Sequence, residues 1–290
     1  MTVAELIPYA IRVSMFAIVF ALGLKTSRHD MFSLFRRPSL LLRSILAMNV
    51  IMPVLAVATV LLLPLPMPIK IALVAIAASP VPPILPGRQT SAGGSTSYAI
   101  GLLVAASLVA IVVIPATIAL IGRLMGVEFR TPLSGVIGIA LLSVIVPLVA
   151  GVLVRAALPR IADRIAQPVS MFATATLVGA CLPVLFTSWP AFWELIGNGV
   201  IVILALFTAI GVAVGHWLGG PNAGDRTVLA LATGTRHPGV ALAIANANFP
   251  NEKAVLAVVI WHLIIGAIVS WPYIRRRKPT HDAIARTVIR

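Results

Sequence analysis

The stretch that decides the fold is Ala232-Thr233-Gly234-Thr235-Arg236-His237-Pro238-Gly239. It lies inside an otherwise apolar run, roughly 226–248. Glycine, a charge, proline and glycine in such close order do not let an α-helix pass unbroken. A second stretch of the same kind lies upstream, Ser79-Pro80-Val81-Pro82-Pro83-Ile84-Leu85-Pro86-Gly87-Arg88-Gln89-Thr90. Four of the seven residues from Pro80 to Pro86 are prolines, which carry no backbone donor. Irregular backbone at membrane depth survives only where protein buries it or where it lines a cavity. The candidate binding residues are therefore those at the breaks. They are Ser79, Pro80, Pro82, Pro83, Gln89 and Thr90 at the first, and Thr233, Gly234, Thr235, Arg236, His237 and Gly239 at the second. Asn49, four residues before Pro53, joins them as a group able to hold backbone where the breaks meet.

The rest of the chain says what surrounds the breaks. Of 290 residues, 60% are apolar and 10% charged. Soluble domains are about 45–50% apolar and about 25% charged. A mean hydropathy of +1.06 excludes a water-soluble globule. Nine stretches approach the ~20 apolar residues a membrane helix needs: 4–24, 39–63, 68–86, 96–122, 132–156, 166–187, 196–219, 226–248 and 254–274. The fold class is an all-α polytopic membrane protein. Glu5 and the lack of a small-residue cleavage pattern argue against reading the first stretch as a signal peptide. A lone cysteine, Cys181, excludes a disulfide framework and a cysteine metal cluster.

The net charge of +14 suggests nucleic acid only in a soluble protein; here it is read against the lipid bilayer. Fifteen basic residues fall in one set of loops: Lys25, Arg28, Arg36, Arg37, Arg43, Arg155, Arg160, Arg164, Arg226, Arg275, Arg276, Arg277, Lys278, Arg286 and Arg290. Four fall in the alternate set: Lys70, Arg123, Arg130 and Lys253. The bias places the C-terminus in the cytoplasm and the N-terminus outside. The expected location is a plasma or bacterial inner membrane. All eight acidic residues fall outside the spans.

The breaks sit in the third and eighth spans. An offset of five, being odd, turns the second unit upside down relative to the first. The reading is a first repeat over 1–122, a connecting span over 132–156, an inverted repeat over 166–274 and a basic tail over 275–290. Interrupted helices at matching places in two halves mark the midplane binding site of a secondary transporter.

The residues around the breaks resemble a known family. Met15-Phe16-Ala17-Ile18-Val19-Phe20-Ala21-Leu22-Gly23-Leu24 followed by Phe35-Arg36-Arg37-Pro38 is similar to the opening of the bile acid:sodium symporter family, and so is Asn49-Val50-Ile51-Met52-Pro53. The two broken stretches look like its two crossing motifs. The family usually has ten spans, so the first here would correspond to the family's second. The resemblance, shared with sodium/proton antiporters, implies a panel domain of spans 1, 5 and 6. It also implies a core of spans 2, 3, 4, 7, 8 and 9 whose two broken helices cross at the midplane. The family's sodium-ligating glutamate would align with Ala232, and its following Gln and Asn with Arg236 and His237. Its polar pair at the first crossing would align with Leu85 and Pro86. The following helix, Ile100 to Ile114, keeps only the hydroxyl of Ser107. Sodium wants several oxygen ligands, commonly one anionic, so this set suits it poorly.

The expected function is a secondary transporter that moves a small organic anion by alternating access, and not an enzyme. Arg236 has no carboxylate within the spans, which leaves two roles open. It binds an anionic substrate, or it stands in for sodium by bonding free backbone carbonyls. His237 is either a proton-coupling group or a polar filler bonded to backbone. Arg88 ends the first broken segment at the surface, and His216 and His262 read as interfacial. No cofactor is implied; sodium stays uncertain and a proton possible. The alternatives are a sodium symporter with a rearranged ion site, an intramembrane enzyme or a channel. Metal-dependent enzymes would need ligand sets that the spans lack.

Overall fold

The computed structural model describes residues 3–125, 137–138, 141–187, 199–252 and 254–277. They form helices and short connections, with no strand among the described residues. Arg130, Lys253 and the tail beyond Arg277, whose charges count toward the orientation, lie outside them, as do Glu128 and Glu194.

The chain opens with helix α1 (Val3–Leu24) and a one-turn helix α2 (Arg28–Phe32). Ser27 caps α2, with reciprocal bonds between its side chain and backbone and those of Asp30. Helix α3 (Pro38–Ile45) starts on a proline, whose missing N–H costs nothing in a first turn. It widens into a π-turn over Leu46–Ile51 and continues as α4 (Met52–Leu62). The widening is where Pro53 demands it: a proline clashes with the carbonyl four residues back, and a π-turn relieves the clash. The same device recurs at the π-turn Leu141–Ile145, before Pro147 and helix α8 (Val146–Ala157).

Helix α5 (Met67–Ala78) stops at Ser79, and the proline-rich stretch runs non-helically until α6 (Leu85–Ser91). The long α7 (Thr96–Met125) follows. Helix α9 (Pro159–Thr187) leads through undescribed residues to α10 (Val200–Leu218). Helix α11 (Ala223–Gly234) ends at Thr235, α12 (Pro238–Asn248) starts two residues after Arg236, and α13 (Ala254–Arg277) closes the described chain. Both interruptions fall where proline and glycine place them.

Five stretches are long and apolar enough to cross a membrane among the described residues: Pro38–Leu62, Thr96–Leu120, Val200–Leu218, Ala223–Asn248 and Ala254–Arg277. One boundary differs from the hydropathy reading. Residues 157–165, between two apolar spans, are helical apart from a break at Leu158. Pro159 opens α9 immediately, and the charges of the stretch sit on exposed helix faces. Arg155 donates to the Leu24 carbonyl at 2.6 Å and pairs with Asp163 at 3.0 Å.

The helices fall into two packing groups. In the first, α1 lies against both α8 and α9. Gly23 and Gly151 make the close approach possible, since a Cβ on Gly23 would lie 2.5 Å from the Leu148 carbonyl oxygen. In the second, α10 packs on α11 and α13, while α5 packs on α4, α12 and α13. Its largest apolar cluster joins Met52, Leu73, Ile76, Leu204, Phe207, Val240 and Val258. Helix α7 bridges the groups, with Ile100 and Val104 packed beside Val19, Leu148 and Val152.

Candidate functional site

The two breaks meet. Helix α5 packs against α12, and α6 packs against α11, so the broken helices cross at their interruptions. The backbone N–H of His237 donates to the Pro80 carbonyl at 2.9 Å across the crossing. Gln89, fully buried on α6, donates to the Val228 carbonyl of α11 at 2.8 Å and ties the other pair of half-helices.

Arg236 fills the crossing. It is 1% exposed and heads the largest fully buried side chains among the described residues. Its guanidinium donates from Nη2 to the Met48 carbonyl at 2.5 Å and from Nη1 to the Ser79 carbonyl at 3.2 Å. Both acceptors are free for a reason. Ser79 caps the C-terminus of α5, where carbonyls run out of helical donors. In the i→i+5 register of the π-turn, the partner of the Met48 carbonyl would be Pro53, which has no N–H. The negative ends of α5 and α11 also face this cation. Its Nε finds no partner. No group of three or more His, Cys, Asp or Glu able to hold a metal occurs among the described residues.

The other predicted residues divide by position. Ser79 and Thr233 are buried at the crossing, with hydroxyls returned to their own helices, on the Ile76 and Leu229 carbonyls at 2.8 Å each. Pro82, Pro83 and Gly234 are buried; Pro80 and Thr235 are half-buried. His237 is buried and caps α12, its Nδ1 accepting from the Val240 N–H at 3.4 Å while Nε2 has no partner. Gly239 is exposed beside the His237 ring. Thr90 turns back to the Pro86 and Gly87 carbonyls, and Arg88 is exposed at that end. Asn49 lines a small cleft between the π-turn and α7, with Ser44, Leu102 and Ala106. It is the carbonyl of its neighbour Met48 that reaches the crossing.

The model of the Sodium Bile acid symporter family matches residues 12–189. The chain belongs to this family. The match spans more than half the chain, contains the first break and stops before the second, so Arg236 lies beyond it. No curated protein matches the chain. Membership of the family makes it an integral membrane protein of the symporter type, in agreement with its apolar helices.

Sequence reading missed three things in this member of the family. The Met48 carbonyl was signalled by Pro53 five residues later. The glycines Gly211, Gly215 and Gly219, spaced by four, press α10 onto the backbone of α11. His262, read as interfacial, is instead 2% exposed and stacks edge-on against Phe207, ring centroids 6.2 Å apart.

Proposed function

We propose that the protein is a secondary transporter of small organic anions in which Arg236 occupies the place of a transported cation. The observation that carries this reading is the double donation of the buried guanidinium to the Met48 and Ser79 carbonyls. Free carbonyls at a helix break are oxygen ligands of the kind a cation takes. A covalently attached cation holds them permanently, and among the described residues no carboxylate forms an ion pair with it. The positive N-terminal end of α12 and the charge of Arg236 together draw an anion to the crossing. A carboxylate, phosphate or sulfonate substrate fits that field.

In this reading α1, α8 and α9 form the panel, and the crossing helices with α3, α4, α7, α10 and α13 form the core. The units over 1–122 and 166–274 are inverted repeats joined by the span over 132–156. Alternating access is the movement of the core against the panel, with α7 at the contact between them. The residues expected nearest the substrate are Ser79, Pro80, Thr235, Arg236 and Gly239.

The test is uptake of radiolabelled organic anions, taurocholate and benzoate among them, into proteoliposomes with and without a sodium gradient. Uptake without sodium is expected. Uptake that collapses when sodium is removed overturns the substitution of Arg236 for the ion. The sodium symporter with a rearranged site would then take its place.

A further inference from the structure

The contact between α10 and α13 holds a line of polar groups that transport at the crossing does not use. On α13, His262, Gly266 and Ser270 follow one another at spacings of four, and Tyr273 and Arg277 continue the same side. On α10, Thr208 and His216 are eight residues apart, again on one face. The two faces meet: a Cβ on Gly266 would lie 3.8 Å from the Thr208 hydroxyl, and Phe207 stacks on His262. At the far end His216 Nδ1 and the Tyr273 hydroxyl are 2.8 Å apart, and Arg277 lies 3.2 Å from the same ring nitrogen. At the near end, a Cβ on Gly234, two residues before Arg236, would lie 3.3 Å from the Thr208 carbonyl oxygen.

The hydroxyls of this seam behave unlike their counterparts. Ser14, Ser44, Thr59, Ser107, Thr227 and Thr233 all donate to the carbonyl four residues back in their own helices. Thr208 and Ser270 do not; both are buried and their oxygens have no partner. His262 Nδ1 and Arg236 Nε are buried without partners as well. An unsatisfied buried polar atom costs about 1–3 kcal/mol, and such groups in proteins are normally held by ordered water. Four of them lie from the crossing toward one end of the molecule, where ordered water would satisfy them.

We propose that this seam is a proton path from that end of the molecule to His262, which exchanges a proton near the break that holds Arg236. A hydronium at the mouth formed by His216, Tyr273 and Arg277 gives up a proton. Each water or hydroxyl along Ser270 and Thr208 accepts one proton and passes one on. The neutral His262 imidazole gains one N–H and a positive charge, and the reverse sequence restores it. Few other charges bear on this step. Helix α5 carries only Lys70, near its opposite end, and α12 carries no titratable group besides its cap His237. The titratable groups of α10 and α11, His216, Asp225 and Arg226, sit at the far end. Arg236 and His237 are the titratable groups at the break itself. A second positive charge near Arg236 is unfavourable until an anion sits there. Anion and proton therefore favour each other's binding, by the reciprocity of linked equilibria. This coupling rests on the anion reading of the crossing, while the path itself does not.

The experiment needs no substrate, so its failure is separate from a failure of anion uptake. The full chain is labelled with 15N-histidine and placed in phospholipid nanodiscs, and exchange of the His262 ring proton with bulk water is followed by NMR. The resonance is assigned from its loss in His262→Gln. In the intact protein His262 is expected to exchange, and Ser270→Ala and Thr208→Val are expected to slow it several-fold. Ser107→Ala, whose hydroxyl is bonded within α7, should leave the rate unchanged. A His262 ring that does not exchange, or whose exchange is indifferent to both seam substitutions, overturns the path.

Discussion

At the scale of the residue, Arg236 decides most. A charge at the membrane centre costs at least ~2.5–3.5 kcal/mol on insertion scales, so it persists only with partners or a task. Its partners are two backbone carbonyls, which no mutation elsewhere supplies with donors. Arg236→Met keeps much of the volume and removes the charge. It should orphan both acceptors, at about 1–3 kcal/mol each, and abolish uptake in proteoliposomes. Arg236→Lys keeps the charge but not the fork, so one carbonyl loses its donor and uptake should fall without vanishing. Uptake by Arg236→Met equal to that of the unaltered protein would remove Arg236 from the transport site. The position of this arginine was legible, because glycine and proline around it announce a break. Its partners were not. They are backbone atoms, one supplied by a π-turn nearly two hundred residues away in sequence and the other by the end of α5, and carbonyls leave no trace in side-chain identity.

At the scale of the element, two contacts set how the broken helices are held. The first is the glycine stripe of α10. A Cβ on Gly215 would meet the Leu229 carbonyl and the backbone of Ala230, neither able to swing aside. Gly215→Ala should therefore separate α10 from α11 and lower the melting temperature in detergent. Gly179→Ala, on an open face of α9, should not. Equal melting of the two variants would dismiss the stripe. The spacing of four was present in the sequence, but its meaning depended on which helix lay opposite. The second contact is α2, which Ser33 fastens to the start of α7 by donating to the Ser97 carbonyl at 2.6 Å. The Ser97 hydroxyl in turn donates to the Asp30 carboxylate. Burial acts to raise the Asp30 carboxyl, and hydrogen bonds from Ser27 and Ser97 outweigh it, holding the group below its ordinary value. A carboxyl lowered by folding stabilises the protein above its unfolded pKa, about 3.9, and loses that contribution as pH falls through the lower folded value. Asp30→Asn should therefore melt earlier than the unaltered protein at neutral pH, with the difference closing in acid. A difference that stays constant down to pH about 3 would mean that the carboxylate charge is not what holds α2.

At the scale of the whole molecule, the loops that charge counting assigns to one side do meet. Arg37, in the connection between α2 and α3, pairs at 2.7 Å with the buried Asp225 at the start of α11. Lys25 donates to Gln167 of α9 at 2.9 Å. The His216, Tyr273 and Arg277 cluster joins the ends of α10 and α13. These contacts arise from packing, independently of the count, and they gather residues distant in sequence at one end. By the positive-inside rule we propose that this end is the cytoplasmic one. The prediction is an accessibility pattern in a Cys181→Ser background. A cysteine at Arg36, exposed at the basic end, should react with an impermeant maleimide only after the cells are opened. A cysteine at Asn251, in the exposed turn between α12 and α13, should react in intact cells. The reverse pattern would invert the molecule and move the mouth of the seam to the outside. A proton gradient of the ordinary sign would then enter at His216 from the outer medium rather than leave there to the cytoplasm. Orientation thus fixes the direction in which the seam can do work.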